Sequence, residues 1–216
     1  GIPCSSPASC LLKRLSGCLP CRSLLRPARL RKDNVRQGVL CWFCCRELPC
    51  DAAFWQAVQD ELLPQAARLA PFSDDPDRTV VSGQSYGGLA ALYAGLHWPQ
   101  RFGRVLTQSG SFWWPNLQFI TDFDLRDTLE PGVLVTQVGQ GGRTASPLVI
   151  FQEAGRREAD IAFVNQQMHD ALTAAGHRAH QRVYAGGHDT LCWRGGLIDG
   201  FRWLLSDAGL PAASRD

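Results

Sequence analysis

From Arg46 onward, apolar and polar positions alternate in blocks that read as helix, strand, helix, strand. Phe54, Val58, Leu62 and Leu63 recur at helical spacing, with Gln59, Asp60 and Gln65 opposite, and Asp51 stands where a capping residue belongs. Residues 71–77 are polar and turn-forming. The β-branched run at 78–82 suits a central strand buried on both faces, and the Ala- and Leu-rich run at 89–96 suits a helix that Trp98-Pro99 ends. Further strands are expected at 105–108, 148–151 and 182–184, and a last amphipathic helix at about 196–205. The fold class that follows is α/β, with a mostly parallel central sheet flanked by helices.

Residues 1–45 have another texture. They show neither helical nor strand periodicity and hold no acid before Asp33. Residues 1–50 carry nine Lys or Arg against two acids, whereas the rest carries thirteen against eighteen, so the net charge of +2 conceals a basic arm. Eight of the nine cysteines lie at or before Cys50, with only Cys192 beyond. Cys18 and Cys21 pair with Cys41 and Cys44 in the arithmetic of a zinc ribbon. Against zinc stand Pro20, the bulky Trp42 and Phe43, and the extra cysteines around both pairs. The arm (1–45) therefore reads as sequence foreign to the single domain expected over 46–216. Lys13 and Arg14 break any signal-like apolar stretch, and no run of eighteen apolar residues exists to span a membrane. Basic charge confined to so short an arm supports nucleic-acid binding only weakly.

The chemistry starts at Gly83-Gln84-Ser85-Tyr86-Gly87, a G-x-S-x-G elbow with a strand before it and a helix after. Ser85 is the expected nucleophile, both glycines are expected to be sterically required, and the Tyr86 N–H is the expected oxyanion donor. A serine hydroxyl needs a base. Of five histidines, His97, His169, His177 and His180 read as surface or capping residues. His188 lies in Ala-Gly-Gly-His-Asp after a strand, at the carboxyl edge where catalytic groups of α/β sheets gather. An acid between Ser85 and His188 completes the chain order of an α/β-hydrolase. Glu158 is preferred because it follows a glycine turn; Glu153, or a serine–histidine dyad, remains an alternative. Asp189 is too close along the chain to His188 to orient it.

Longer stretches carry a resemblance. Arg46-Glu-Leu-Pro-Cys50, Gly83-Gln-Ser-Tyr-Gly-Gly88, Ala91-Leu-Tyr-Ala-Gly-Leu-His-Trp-Pro99, Gln108-Ser-Gly-Ser-Phe-Trp-Trp-Pro115 and Gly186-Gly-His-Asp-Thr-Leu-Cys-Trp-Arg-Gly-Gly196 resemble the enterobactin (enterochelin) esterase family. The likeness runs from about Arg46 to Trp203. It implies a serine esterase of the α/β-hydrolase fold that cleaves the trilactone esters of ferric enterobactin in the bacterial cytoplasm, helping to release iron. It implies no cofactor, since iron enters only with the substrate, and a small siderophore as the partner, with no membrane and no nucleic acid. The ferric tris-catecholate is a compact trianion, so Arg46, Arg156, Arg157 and Arg194 are candidates for a cationic rim. Trp113, Trp114 and Trp193 are candidates to pack on catechol rings.

The sequence departs from the family at its start, where residues 1–45 stand in place of early strands and the second oxyanion donor. This chain is accordingly expected to be marginally folded and weakly active. Two other readings compete: a carboxylesterase or S-acylglutathione-type hydrolase of the same fold, and an inactive scaffold whose Cys-rich arm binds zinc or nucleic acid.

Overall fold

The computed structural model describes residues 48–141 and 146–206. They divide into two units, residues 51–72 in one and residues 48–50 with 73–206 in the other. The cysteine pairs, the strand-like stretch at 39–43 and Arg46 lie outside the described residues.

In the first unit Asp51 caps α1 (Ala52–Ala57), its carboxylate accepting from the N–H groups of Ala53 at 2.8 Å and Phe54 at 3.1 Å. The helix continues through a π turn (Val58–Leu62) into α2 (Leu63–Leu69), with the Leu63 N–H reaching back to the Val58 carbonyl. Pro64 has no N–H to give, and the widened turn ahead of it lets the helix run on. The expected apolar stripe is displaced: Trp55 and Ala57 are buried, while Phe54, Val58, Leu62 and Leu63 are only half-buried.

The second unit is built on four parallel strands in the order β1 (Val80–Gln84), β2 (Arg104–Gln108), β3 (Val149–Gly155) and β4 (Arg178–Tyr184). Between them lie α3 (Tyr86–His97), the short α4 (Gln118–Thr121), α5 (Val133–Gly139) and α6 (Ala159–Ala174), and α7 (Thr190–Leu204) follows β4. Every residue of β2 and β3 is buried, as their apolar runs require of strands covered on both faces. Alternation along a strand assigns the two layers. Leu106, Val149 and Phe151 pack with Leu204, Leu197 and Phe201 of α7 on one face. Gln152 points the other way and donates to the Asn165 carbonyl of α6 at 2.6 Å. Arg104, 1% exposed, ties the start of β2 to the end of α7 through the Leu204 carbonyl.

Two elements differ from expectation. The last helix begins at Thr190 rather than near residue 196, so Trp193 and Arg194 are helical. The last strand begins at Arg178, which places His180 inside β4, stacked on Trp203 with ring centroids 5.0 Å apart. His177 is buried and accepts from the Leu148 N–H at 3.1 Å, a structural role rather than a surface one.

The register sets where chemistry can gather. Gln84 pairs with Gln108, Gln108 with Glu153, and Gly155 with Tyr184, so all four strands deliver the chain to one carboxyl edge. Because Leu106 is fully buried between β2 and α7, Leu106→Ala should cost about 2–5 kcal/mol in a urea unfolding curve. A loss below about 1 kcal/mol would remove this residue from the core assigned here.

Candidate active site

β1 ends at Gln84 and Ser85 turns the chain at φ 54 and ψ −122, a left-handed conformation uncommon for a residue with a side chain. Hydrogen bonds hold the turn. The Ser85 N–H donates to the Gln108 carbonyl at 2.9 Å, and the Ser85 carbonyl accepts from Gly88 at 3.0 Å and Ser111 at 3.0 Å. A Cβ on Gly83 would run into the carbonyl of Gly87, whereas a Cβ on Gly87 would meet nothing. The expectation that both glycines are sterically required is thus corrected: where two backbones approach, only one needs to be bare. Tyr86 opens the twelve-residue α3, so its N–H lies in the positive end of the helix dipole.

His188 lies four residues past the end of β4, and its Nδ1 is 2.6 Å from Glu158 Oε2. Glu158 is 6% exposed at the N-terminus of α6. Its second oxygen, Oε1, accepts from the Gly155 N–H at 2.6 Å, the Ser109 hydroxyl at 2.5 Å and the Tyr184 hydroxyl at 3.1 Å. Burial pushes the Glu158 pKa up, but hydrogen bonds from His188, Ser109 and Gly155 and the His188 charge outweigh it, leaving the carboxyl below its ordinary value. An ionised carboxylate can only accept, so His188 donates to Glu158 from Nδ1. The Ser85 hydroxyl sits 3.3 Å from that of Ser111 and makes no hydrogen bond to His188.

Glu153 has a different task. It lies within β3, fully buried, and pairs with Arg182 at 2.6 Å while accepting from the Gln108 amide at 2.6 Å. A Cβ on Gly196 of α7 would overlap its carboxylate, so glycine there lets the helix cover the ion pair. Asp189 caps α7, accepting from the N–H groups of Leu191 at 3.0 Å and Cys192 at 2.9 Å.

The proposed binding residues are less uniform. Arg156, Arg157 and Arg194 are exposed and make no ion pair among the described residues, with Arg194 on the first turns of α7. Trp113 is 4% exposed and meets Tyr86 edge to face, which makes it a wall rather than an open stacking surface. Trp114 and Trp193 are half-buried; Trp193 lies against the His188 ring at 4.8 Å and donates from its indole to Ser109 at 3.0 Å. Sequence reasoning missed Ser109, Ser111 and Tyr184. For Ser109 the available signal was repetition, since a serine follows the strand-ending glutamine of β2 as it does that of β1. Among the described residues no three His, Cys, Asp or Glu side chains are grouped to hold a metal ion, and no helix is long and apolar enough to cross a membrane.

The family model described as "Putative esterase" matches residues 42–204. The iron(III) enterobactin esterase of Dickeya dadantii (strain 3937) is 91% identical over 172 residues, covering 80% of this chain and 40% of that protein. The iron(III) enterobactin esterase of Escherichia coli (strain K12) is 53% identical over 154 residues, 71% of this chain and 36% of that protein. The crystal structure of the enterobactin esterase from Shigella flexneri in the presence of enterobactin aligns with a TM-score of 0.66 and 51% identity, covering 74% of this chain and 38% of that one. The chain thus spans about two fifths of the length of the curated relatives it matches.

The two carboxylates separate experimentally. Glu158→Gln should act chiefly on ester turnover, lowering it roughly 100- to 10,000-fold. Glu153→Gln, which breaks a buried pair with a partly exposed arginine, should instead cost about 1–3 kcal/mol of stability. The opposite pattern, in turnover assays and thermal unfolding run side by side, would exchange their roles.

Proposed function

Because the chain belongs to the esterase family whose model spans residues 42–204, we propose that it is a serine carboxylic ester hydrolase whose substrate is ferric enterobactin. The observation that carries this reading is the His188–Glu158 hydrogen bond at 2.6 Å beside a strained nucleophile elbow at Ser85. In this reading Ser85 Oγ attacks an ester carbonyl while His188 Nε2 takes the hydroxyl proton. Glu158 stabilises the imidazolium that forms. The Tyr86 N–H receives the developing oxyanion. His188 then returns the proton to the departing alkoxide, and the acyl-serine is hydrolysed by water that gives its proton to the same nitrogen. Nucleophile, base and acid are all side chains, so these steps call on no cofactor.

The substrate assignment is supported by the relatives named iron(III) enterobactin esterase and by the charge pattern of the site's rim. Arg156, Arg157 and Arg194 are exposed cations near the carboxyl edge of the sheet, fit for a trianionic ferric catecholate. Arg46, outside the described residues, remains a candidate from the sequence alone, and Trp114 and Trp193 offer ring faces to catechols. In this reading the partner is the siderophore alone, iron travels only as part of it, and the place of action is the bacterial cytoplasm.

Ser85→Ala should remove ferric enterobactin hydrolysis by at least about 10,000-fold while equilibrium binding stays nearly intact, since the nucleophile is lost and the rim is not. Turnover within about tenfold of the parent would refute the mechanism.

Arg194→Ala should weaken ferric enterobactin binding by about three- to tenfold at low salt, an effect that shrinks as salt is added because the side chain is exposed. Hydrolysis of a neutral aryl ester should hardly change. An equal loss on both substrates would make the arginine structural and favour a general carboxylesterase.

A further inference from the structure

Two neighbouring parallel strands end in the same register, Gln84 opposite Gln108, and each is followed by a serine in the left-handed region, Ser85 at φ 54 and Ser109 at φ 51. The first is the elbow. The second is fully buried, and its N–H donates to the Glu153 carbonyl at 2.7 Å, extending the β2–β3 ladder by one residue. Its hydroxyl has three neighbours: the Trp193 indole nitrogen at 3.0 Å, the Glu158 carboxylate at 2.5 Å and the Tyr184 hydroxyl at 3.2 Å. An indole N–H can only donate, and an ionised carboxylate can only accept. The Ser109 oxygen therefore accepts from Trp193, and its single proton goes to Glu158.

We propose that Ser109 is a positioning residue of the hydrolytic site, its hydroxyl turning the Glu158 carboxylate so that Oε2 meets His188, while Trp193 fixes the direction of that hydroxyl. This rests on the reading of Glu158 and His188 given above. The arrangement closes a ring: Trp193 touches the His188 ring, bonds Ser109, and through it reaches the carboxylate that bonds His188. Strained backbone persists where the surroundings over-determine it, and here it delivers a hydroxyl to a buried acid. Glu158 is faced by His188 from the loop after β4 and by Tyr184 from β4 itself. Cys192 of α7 lies within its field, Glu153 of β3 acts on Tyr184, and His188 acts on Asp189.

The sign of the pH effect follows from Glu158. Its pKa is held down by donors against burial, so deleting one donor raises it, and the protonated form of the pair persists to higher pH. The test uses the full chain and an aryl ester, with Ser109→Ala, Ser109→Gly and Glu158→Gln beside the parent. Alanine keeps the Cβ and hence the backbone strain; glycine relieves it; both lack the hydroxyl. Both should lower kcat roughly tenfold with KM little changed. The acid limb of the kcat profile should move up by about half to one pH unit. NMR titration of the His188 imidazole in Ser109→Ala gives a readout independent of turnover and should show a midpoint displaced from the parent's. A parent-like kcat and titration in Ser109→Ala, with Glu158→Gln severely impaired, would overturn this inference and leave the triad standing. Recovery of parent activity in Ser109→Gly would also overturn it, because backbone strain and not the hydroxyl would then be at issue. Parent-like turnover in Glu158→Gln would instead bring down the reading on which it rests.

Discussion

A carboxylate withdrawn from water has to be compensated by donors, and the carboxyl edge of this sheet is arranged around that requirement at Glu158. Its four hydrogen bonds come from four different places: the Gly155 turn, the residue after β2, the last residue of β4, and the loop beyond it. Backbone pairing already links them, Gly155 standing opposite Tyr184 and the Ser109 N–H donating to the Glu153 carbonyl. The acid adds a shared side-chain partner to segments that the sheet brings together. Burial raises Tyr184's pKa, as does the neighbouring Glu158 charge, so the phenol stays protonated and remains a donor. Its hydroxyl also lies 3.0 Å from the Gly187 carbonyl, beside His188.

Glu153, five positions earlier, shows how environment assigns work to like groups. It is buried within a strand and is answered by a guanidinium, so its charge is absorbed by structure. Arg182 divides itself between Glu153 and Asp199 of α7, at 2.6 and 2.8 Å, and so links two strands to the covering helix. Gln108 adds to this, donating to both Glu153 and the Trp193 carbonyl. The Glu153–Arg182 pair sits within the sheet, whereas Glu158 bonds His188.

How much of this was legible in the sequence depends on the kind of signal each feature leaves. The elbow was legible because strand, turn and helix each left their own mark around Ser85. Chain order and the glycine turn pointed to His188 and Glu158, and the structure brings these two side chains together. The beginning of β4 was not, because Arg178 and His180 on a partly exposed edge strand look like loop residues when read by polarity. The first turn of α7 was missed although Asp189 is a capping residue, because Gly195 and Gly196 inside the helix read as a break before it. Ser109 left the faintest trace of all, since what distinguishes it is a backbone angle and three partners distant in sequence. The burial of Trp113 likewise follows from packing on Tyr86 and not from any local pattern.

The cap on α7 bears on how such a site would fail with heat. Asp189 is the residue next to His188, and its side chain holds the first N–H groups of the helix. Helix ends fray before sheets melt, because a terminal turn has few bonds to lose and opens at a small fraction of the global stability. Once that first turn loosens, the loop carrying His188 loses its downstream tether while β2 and β3, buried along their whole length, remain paired. Thermal inactivation would then be a local and readily reversible event, set by the survival of one capping interaction and arriving well before the cooperative collapse of the domain.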